Sequence, residues 1–216
     1  MLKRNAILAT AAELFAEQGF ADTTFEDLER AGGHSRGAVN WFFRDKDELA
    51  EALVTSSVIM GEIPRRTPRL QSIVDVSILL AVLTPKMTLM RAANRLATDQ
   101  GKPFYGYLWR TYIPLVTDIL AEAQELGEFQ PGVDPANVAE LWTLTWVGMD
   151  LAYREKYDEL AEAVDRLNKN MVYSVATPRV LSQMIVSVER GHDLAEAYFA
   201  AQAEKLQQEE DATTTS

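Results

Sequence analysis

An arginine, an asparagine and a tryptophan stand close together in the run SRGAVNWFF, residues 35–43. Ser35 is a typical N-cap residue, so the run predicts a short helix that begins directly after it. Arg36, Asn40 and Trp41 give this helix a cation, an amide and an aromatic ring, on a segment too short to bury much by itself. Guanidinium groups pair well with guanine edges. The pattern predicts a recognition helix for the major groove of DNA, in which Arg36 reads a base.

Another short helix precedes the recognition helix. Thr24 is placed to cap it, Asp27 lies in its acidic first turn, and Gly32 and Gly33 break it after Ala31. A charged step, RDKDEL at residues 44–49, then leads into a further helix. The stretch from residue 24 to residue 49 therefore predicts a helix-turn-helix unit, with the glycine pair as its turn.

An amphipathic helix over residues 3–18 is expected to pack against this unit. Its apolar residues recur at helical spacing, and Gly19 ends it. The predicted small core consists of Ile7, Ala11, Leu14, Phe15, Phe20, Phe25, Leu28, Val39, Phe43 and Leu49.

These residues carry a resemblance to a known family. The ordered run of helix, GF, TT, helix, GG turn, SRGA, aromatic cluster and DKDEL resembles the DNA-binding head of TetR-family transcriptional regulators over about the first fifty residues. Asn40 stands where the family usually has tyrosine, and Phe42 where histidine is common. The predicted DNA-binding residues are Lys3, Thr24, His34, Ser35, Arg36, Gly37, Asn40, Trp41, Arg44 and Lys46. Apart from Arg36, most of these would position phosphates, Gly37 through its backbone N–H.

The charge of the chain is unusual for a protein that binds DNA. The net charge is −11, and residues 1–49 hold six cations and nine anions, a net of −3. Neutralisation of phosphates is the usual source of affinity for DNA. We therefore expect the cations Lys3, Arg4, Arg36, Arg44 and Lys46 to share one face. Non-specific binding should be weak and strongly salt-sensitive.

Composition indicates an all-α protein. The chain has 216 residues, 47% of them hydrophobic, with 11 glycines and 8 prolines, which disfavours both disorder and a turn-rich β fold. Without a cysteine there is no disulfide framework or zinc finger. No run of 18 apolar residues occurs, and the first residues do not fit a signal peptide. We expect a cytoplasmic protein with no membrane contact.

Three parts are predicted along the chain: a helix-turn-helix head at 1–48, a ligand-binding and dimerisation body at 49–208, and a disordered tail at 209–216. Pro114 should kink its helix, and Gly191 should interrupt or bend the last one. The predicted body helices are 45–60, 73–83, 85–98, 103–127, 135–153, 157–172 and 178–208, with 61–72 as a connection.

Aromatic and methionine residues of the body predict either packing or a ligand pocket. An apolar wall with polar tips suits a small neutral ligand, and methionine lets such a wall adapt. Packing in the core and at a dimer interface explains any one of them equally well. The predicted ligand-binding residues are Met87, Met90, Tyr105, Trp109, Tyr112, Trp142, Trp146 and Met149.

A second resemblance concerns the body. MRAANRLATDQ, the aromatic stretch after it and ILAEAQELGEFQPGVDP are similar to the γ-butyrolactone receptors within the TetR family. This resemblance implies that a tryptophan holds a lactone-type signal. Trp109 is the equivalent by order along the chain, and Tyr112 by counting back from GVDP. A multidrug-sensing regulator with a similar aromatic pocket is the alternative.

Catalysis is not predicted. GGHSRG at residues 32–37 lacks the GKT or GKS ending of a P-loop and follows a helix instead of a strand. The two histidines, His34 and His192, are far apart in sequence, so we expect no metal site, and no cofactor is implied.

The sequence therefore predicts a homodimeric repressor that pairs through residues 135–172, binds a near-palindromic operator in double-stranded DNA and releases it on binding a small-molecule effector. A regulator that responds to no ligand, or a helical interaction module that has lost DNA binding, are the alternatives to be tested.

Overall fold

The computed structural model describes residues 2–57, 64–98 and 107–214; at residues 2, 107–110, 206 and 209–214 it describes the backbone alone. These ranges are helical, and their only β contact is one isolated antiparallel bridge, Phe129 to Ala176. The predicted all-α fold is confirmed. The helices are α1 Leu2–Asp22, α2 Phe25–Gly32, α3 Arg36–Phe42, α4 Lys46–Ser56, α5 Gln71–Leu83, α6 Thr88–Thr98, α7 Tyr107–Glu125, α8 Pro135–Ala152, α9 Leu160–Val175, α10 Pro178–Leu181 and α11 Val188–Thr214, with 3₁₀ turns at Thr84–Lys86 and Tyr157–Glu159.

The caps of the head form where their residue types predict them. Thr24 and Asp27 make a reciprocal capping box at the start of α2, and Gly33 ends that helix in the left-handed conformation, at φ 65°. Ser35 accepts the Ala38 N–H at the start of α3, at 3.3 Å. Asp45 caps α4 through the Glu48 N–H, at 2.8 Å. Each cap satisfies an N–H that the helix itself leaves unpaired.

The hydrophobic core of the head is completed by a helix of the body. Ile7, Phe15 and Phe43 are buried in it together with residues of α2, α3 and α4. Ala92 and Leu96 of α6 belong to the same cluster. Small side chains on this face of α6 allow α1 and α4 to pack closely against it.

Helix α5 forms the centre of the body. All of its residues except Leu80 are buried, between α7, α8 and α9 on one side and α11 on another. The buried Asp75 carboxylate accepts two hydrogen bonds from Arg190 of α11, at 2.5 and 2.6 Å, and one from Arg66, at 3.0 Å. Glu128, from the turn after α7, accepts the Leu70 N–H at the start of α5, at 2.8 Å. These ionic contacts join segments distant in sequence to the apolar centre.

The end of the chain differs from its predicted single helix. Residues 178–208 form α10 and α11, separated by residues 182–187. The Gln71 side chain pairs there with both backbone groups of Ile185, at 2.8 and 2.9 Å, which satisfies them outside a helix. Gly191 does not interrupt α11, and α11 continues past Gln208 to Thr214 because Gln207, Glu209 and Ala212 are good helix formers.

Other predicted boundaries lie within a few residues of those in the structure or fall outside the described residues; the predicted starts at 85 and 157 lie in the 3₁₀ turns before α6 and α9. Gly19 breaks the regular course of α1 with a φ of 78°. Pro114 lies inside α7. Part of the predicted connection at 61–72 and the start of the helix at 103 lie outside the described residues. No single helix in the described ranges is both long and apolar enough to cross a bilayer; by length and composition only, the bent pair Gln71–Lys86 and Thr88–Thr98 meets that test.

Candidate DNA-reading surface and ligand pocket

Helix α3 has one buried side and one exposed side. Val39 is fully buried, and Phe43, which ends the helix, is buried as well. Because α3 has only seven residues, these two side chains fix its orientation on the head. Arg36, Asn40 and Trp41 are exposed, and 83% of the Trp41 surface is open to solvent. The exposed side of α3 therefore carries a cation, an amide and a large apolar ring.

Eight of the ten predicted DNA-binding residues share this exposure. The Arg36 guanidinium lies over the Phe25 ring, 5.7 Å from its centre, and Arg44 pairs with Asp45 at 2.9 Å. Both contacts are at the surface, where such pairs are weak and leave the cation available. The exposed residues are Lys3, Thr24, Ser35, Arg36, Gly37, Asn40, Trp41 and Arg44.

The other two, His34 and Lys46, point toward α1. Lys46 Nζ donates to the carbonyls of Phe20 and Thr23, at 2.6 and 2.7 Å, and lies 4.2 Å from the centre of the Phe20 ring. His34 Nε2 lies 3.2 Å from Thr10 Oγ1. The Lys46 ammonium and His34 Nε2 are thus engaged inside the head in this structure, and a phosphate contact by either residue stays a prediction.

Several acidic groups of the head stabilise helix starts. Hydrogen bonds from Thr24 hold the pKa of Asp27 below its ordinary value, and the Glu48 backbone N–H does the same for Asp45. Both residues stand at helix N-termini, where negative charge is favourable. The carboxylates of Asp27 and Asp45 therefore stabilise the starts of α2 and α4 within the head.

A cavity opens in the body between α5, α6, α7 and α8. About 720 Å³ of space lies between its walls, including the part open to solvent. Four predicted ligand-binding residues line it: Met90, Tyr112, Trp142 and Trp146. Of the others, Met87 and Met149 pack in neighbouring apolar clusters and do not line the cavity. Trp109 lies on α7 without a described side chain, and Tyr105 lies outside the described residues.

Most of the wall comes from residues that the sequence analysis did not select. On α5 they recur at i, i+3, i+4 and i+7, and Thr84 directly after α5 continues this spacing at i+11, so the lining residues follow one face of a helix, which periodicity in the sequence can show. The apolar periodicity does not show which buried face of α5 borders a cavity and which face packs against a neighbouring helix. The additional lining residues are Ser57, Ile73, Val76, Ser77, Leu80, Thr84, Asn94, Val116, Thr143 and Val147.

The indole N–H groups of Trp142 and Trp146 form hydrogen bonds within the protein. Trp142 Nε1 donates to Asn168 Oδ1 at 3.1 Å, and Trp146 Nε1 donates to the Ser77 carbonyl at 3.1 Å. Ser77 Oγ also donates to Asn168 Oδ1, at 2.8 Å. The indoles are therefore fixed in place, and they contribute mainly apolar surface to the cavity.

No charged side chain lines this cavity among the described residues. Its polar groups are hydroxyls, indoles and the Asn94 amide, which donates to the buried Asp150 carboxylate at 2.9 Å. Burial raises the pKa of Asp150, and the hydrogen bond from Asn94 opposes that shift. A neutral, mostly apolar molecule with a few acceptors or donors matches such a wall. Within the described ranges, no group of three or more His, Asp or Glu residues is placed to hold a metal ion.

Comparison with known proteins agrees with this two-part arrangement. Residues 7–53 match the family model for bacterial regulatory proteins of the tetR family. The A-factor receptor protein of Streptomyces griseus is 25% identical over 209 residues, which are 94% of this chain and 74% of that protein. The solved structure of TylP, a TetR regulator from Streptomyces fradiae, is 28% identical, with a TM-score of 0.79 over 91% of this chain and 97% of that one. Residues 7–53 are therefore a TetR-family DNA-binding domain, and the chain shares the fold of TetR regulators over nearly its full length.

Members of this family are transcriptional regulators, so the expectation that the chain is not an enzyme is confirmed. The TetR fold also extends to a solved γ-butyrolactone receptor that is 20% identical, with a TM-score of 0.67 over 91% of this chain and 97% of that one. At this identity the comparison concerns the fold alone.

Proposed function

We propose that this TetR-family chain is a homodimeric repressor that releases its operator when a small, neutral, mostly apolar molecule enters the cavity. The observation that carries the proposal is the double role of α6. Met90 and Asn94 line the cavity, whereas Ala92 and Leu96, on the same helix, are part of the head core. A ligand that displaces α6 therefore acts directly on the packing of the DNA-binding head.

DNA contact in this proposal comes from α3 and its surroundings. Arg36 reads a base, and Lys3, Ser35, Asn40 and Arg44 approach phosphates from the same exposed set. Thr24, Gly37 and Trp41 complete this set. Two heads of a dimer would enter successive major grooves about 34 Å apart. Lys46 and His34 support the head from inside.

The proposed ligand is γ-butyrolactone-like. An uncharged lining excludes a strongly ionic ligand, because a buried charge without a partner is unfavourable. The indoles of Trp142 and Trp146 and the Tyr112 ring offer apolar contact, while Thr143 and Asn94 offer hydrogen bonds to an ester or hydroxyl group. Similarity to the A-factor receptor protein, and a fold shared with a γ-butyrolactone receptor, favour the same class of molecule.

The proposed dimer pairs through residues 135–172. On α8, Leu141, Leu144 and Leu151 are 58%, 46% and 54% exposed, at a spacing that places them along one side of the helix. Trp142 and Ala139, on its other side, are buried in the body. An apolar stripe on the outside of a core helix suits a helix-to-helix contact with a second copy.

Release of the operator on ligand binding follows from the preference of the ligand between two states. The ligand changes operator affinity only as far as it binds one arrangement of α6 better than the other. The decisive experiment measures binding of the purified chain to a duplex from the region upstream of its own gene, across a salt series, with and without a γ-butyrolactone. Saturable operator binding that the lactone abolishes would support the proposal.

A matched pair of variants assigns the effect to the cavity. Thr143→Val removes a hydroxyl from the cavity wall and keeps its shape, whereas Thr117→Val makes the same change on α7 outside the wall. The first should alter the lactone concentration needed for release, and the second should not. Release by many unrelated apolar compounds would instead indicate a multidrug regulator. Operator binding that no compound affects would indicate a ligand-independent regulator, and absence of operator binding would favour the interaction module.

A further inference from the structure

A second cavity lies at the junction between the head and the body. It is a crevice of about 690 Å³, including its open part, between the end of α1, one side of α6 and the segment that follows α8. Three arginines line it: Arg91 and Arg95 of α6, and Arg154. In a chain with 21 cations and 32 anions, three guanidinium groups at one crevice are a marked local concentration of positive charge.

Neutral acceptors and one buried carboxylate hold these arginines in place. Arg95 Nη1 donates to the Ala16 and Glu17 carbonyls, at 3.2 and 2.7 Å, near the end of α1. Arg91 donates to the Pro85 carbonyl at 2.9 Å. Such contacts orient a guanidinium without neutralising its charge.

Arg154 completes the set. Its Nη2 donates to Thr98 Oγ1 at 2.6 Å and lies 3.8 Å from the Asp150 carboxylate, whose side chain is 2% exposed. The hydroxyl of Tyr157, which also lines the crevice, remains a neutral donor, since burial and the nearby Asp150 raise its pKa to about 12.

Two of the guanidinium groups retain an unused donor. The Nε atoms of Arg95 and Arg154 are buried and have no hydrogen-bond partner among the described residues. A buried N–H group without an acceptor destabilises the protein, and the cost is larger when the N–H belongs to a charged side chain than when it belongs to a neutral one. An acceptor placed beside such a group is therefore stabilising. Beside Arg154, the buried Asp150 Oδ2 also lacks a hydrogen-bond partner among the described residues, although it lies 3.8 Å from Arg154 Nη2.

The carboxylates of the crevice lie at its outer side. Glu17 and Glu155 both line it, and both are exposed, whereas the three arginines are only partly exposed. Neither glutamate forms an ion pair with these arginines in the described structure. Because charges interact more strongly where water is excluded, the partly buried arginines outweigh the solvated glutamates for a ligand that lies between the arginines.

We propose that this crevice binds a small oxyanion, a phosphate group or a carboxylate, between Arg91, Arg95 and Arg154. The site is separate from the ligand cavity, which is lined by none of these residues, and the helices α2, α3 and α4 do not line it. An anion held there joins α6 to the segment after α8, and Arg95 links it to the Ala16 and Glu17 carbonyls of α1. Its binding therefore stabilises the arrangement of head and body in which these elements meet.

The test is isothermal titration calorimetry of the full chain with sodium phosphate and, separately, with sodium acetate, at an ionic strength kept constant with sodium chloride. Saturable binding of one equivalent per chain is expected, and the anion that binds more tightly identifies the preferred oxyanion. Arg154→Gln and Arg91→Gln should each weaken binding by about tenfold or more, as expected for loss of a charge-assisted hydrogen bond.

Two further variants separate the site from general charge effects. Arg179→Gln removes a cation from the exposed surface of α10, outside the crevice, and should change affinity by less than about twofold. Glu155→Gln removes an opposing carboxylate and should tighten binding by roughly two- to fivefold. Absence of saturable heat with both anions, or equal losses in Arg179→Gln and Arg91→Gln, would overturn the proposal. Displacement of phosphate by unrelated duplex DNA would also overturn it, since the crevice would then be a DNA-backbone contact.

Discussion

Arg36 is the residue whose proposed contact with DNA is most specific. Its guanidinium rests over the Phe25 ring at the surface, and no acidic partner holds it in the described structure. Replacing a base-reading arginine removes one or two hydrogen bonds to a guanine and leaves the phosphate contacts unchanged. The loss should therefore depend on the DNA sequence at one position of the operator.

We predict that Arg36→Ala weakens operator binding by about 1–3 kcal/mol and relaxes the base preference at one position of each half-site. Arg30→Ala is the matched control, because Arg30 is an exposed cation on α2 that pairs with Asp27. Binding is measured on the operator and on duplexes changed at one position at a time. An equal loss on every duplex would make Arg36 a phosphate contact.

Single residues also show which contacts can be predicted from the sequence and which cannot. The caps at Thr24, Ser35 and Asp45 are predictable because each depends on a residue type and on atoms three positions away. The inward course of Lys46 is not predictable in this way. Its two acceptors, 26 and 23 residues earlier, become available only because α1 bends at Gly19 and ends beside α4.

Among the helices, α5 and α11 meet at a close approach that depends on one glycine. A Cβ atom at Gly191 would lie 2.7 Å from Ile78 Cγ1 and 3.1 Å from Val82 Cγ2. Both neighbours are buried in the body core. Gly191 therefore serves packing between two helices, and the sequence pattern, which suggests a bend, does not reveal this because the partner is more than a hundred residues away.

We predict that Gly191→Ala lowers the free energy of unfolding by about 1–3 kcal/mol, because overpacking outweighs the better helix propensity of alanine. The same change in an Ile78→Ala background should be much less harmful, since the space that the new methyl group needs is then open. Chemical denaturation of the four variants in this cycle gives the coupling. If the losses in free energy of unfolding are additive, the contact with Ile78 is not the reason why a side chain at position 191 is unfavourable.

The break between α10 and α11 illustrates the same limit at the level of elements. Residues 182–187 contain no glycine or proline, so composition gives no signal for an end of the helix. The break is instead stabilised by the Gln71 side chain of α5, which forms hydrogen bonds with the backbone of Ile185. By contrast, the ends of α2 and the start of α8 at Asp134 and Pro135 carry local signals and are predicted correctly.

In the whole molecule, the buried Asp150 should make stability depend on pH. Burial raises its pKa above the ordinary value of 3.8, so the folded state binds this proton more tightly than the unfolded state. The contribution of this group to stability is therefore present at low pH and is lost as pH rises through the folded-state pKa. Asparagine at this position keeps an acceptor for Asn94 and has no such dependence.

We predict that the stability of Asp150→Asn relative to the unaltered chain increases as pH is raised from about 4 to about 8. Denaturant unfolding at several pH values measures this difference. Asp118→Asn, an exposed change of the same charge on α7, controls for the loss of one anion. A difference between Asp150→Asn and the unaltered chain that does not change with pH would contradict the expectation.

Pairing of two chains should depend on the leucine stripe of α8. We predict that Leu144→Glu weakens the dimer by roughly tenfold or more, because it places a charge in an apolar contact. Sedimentation equilibrium measures the change. Leu126→Glu is the control, since Leu126 is also a highly exposed leucine but lies just beyond the end of α7. If only the control variant dissociates, the interface lies elsewhere.

The contribution of α6 to the head core has a consequence for how such proteins diversify. A chimera that takes residues 1–57 from one regulator and the rest from another would bring together an α1 surface and an α6 surface that had not adapted to each other. Ala92 and Leu96 would face foreign side chains, and Arg95 would have to find carbonyl oxygens at the end of a different α1. Exchange of DNA specificity between relatives should therefore succeed by substitution on α3, whereas transfer of whole heads requires α6 to be transferred as well.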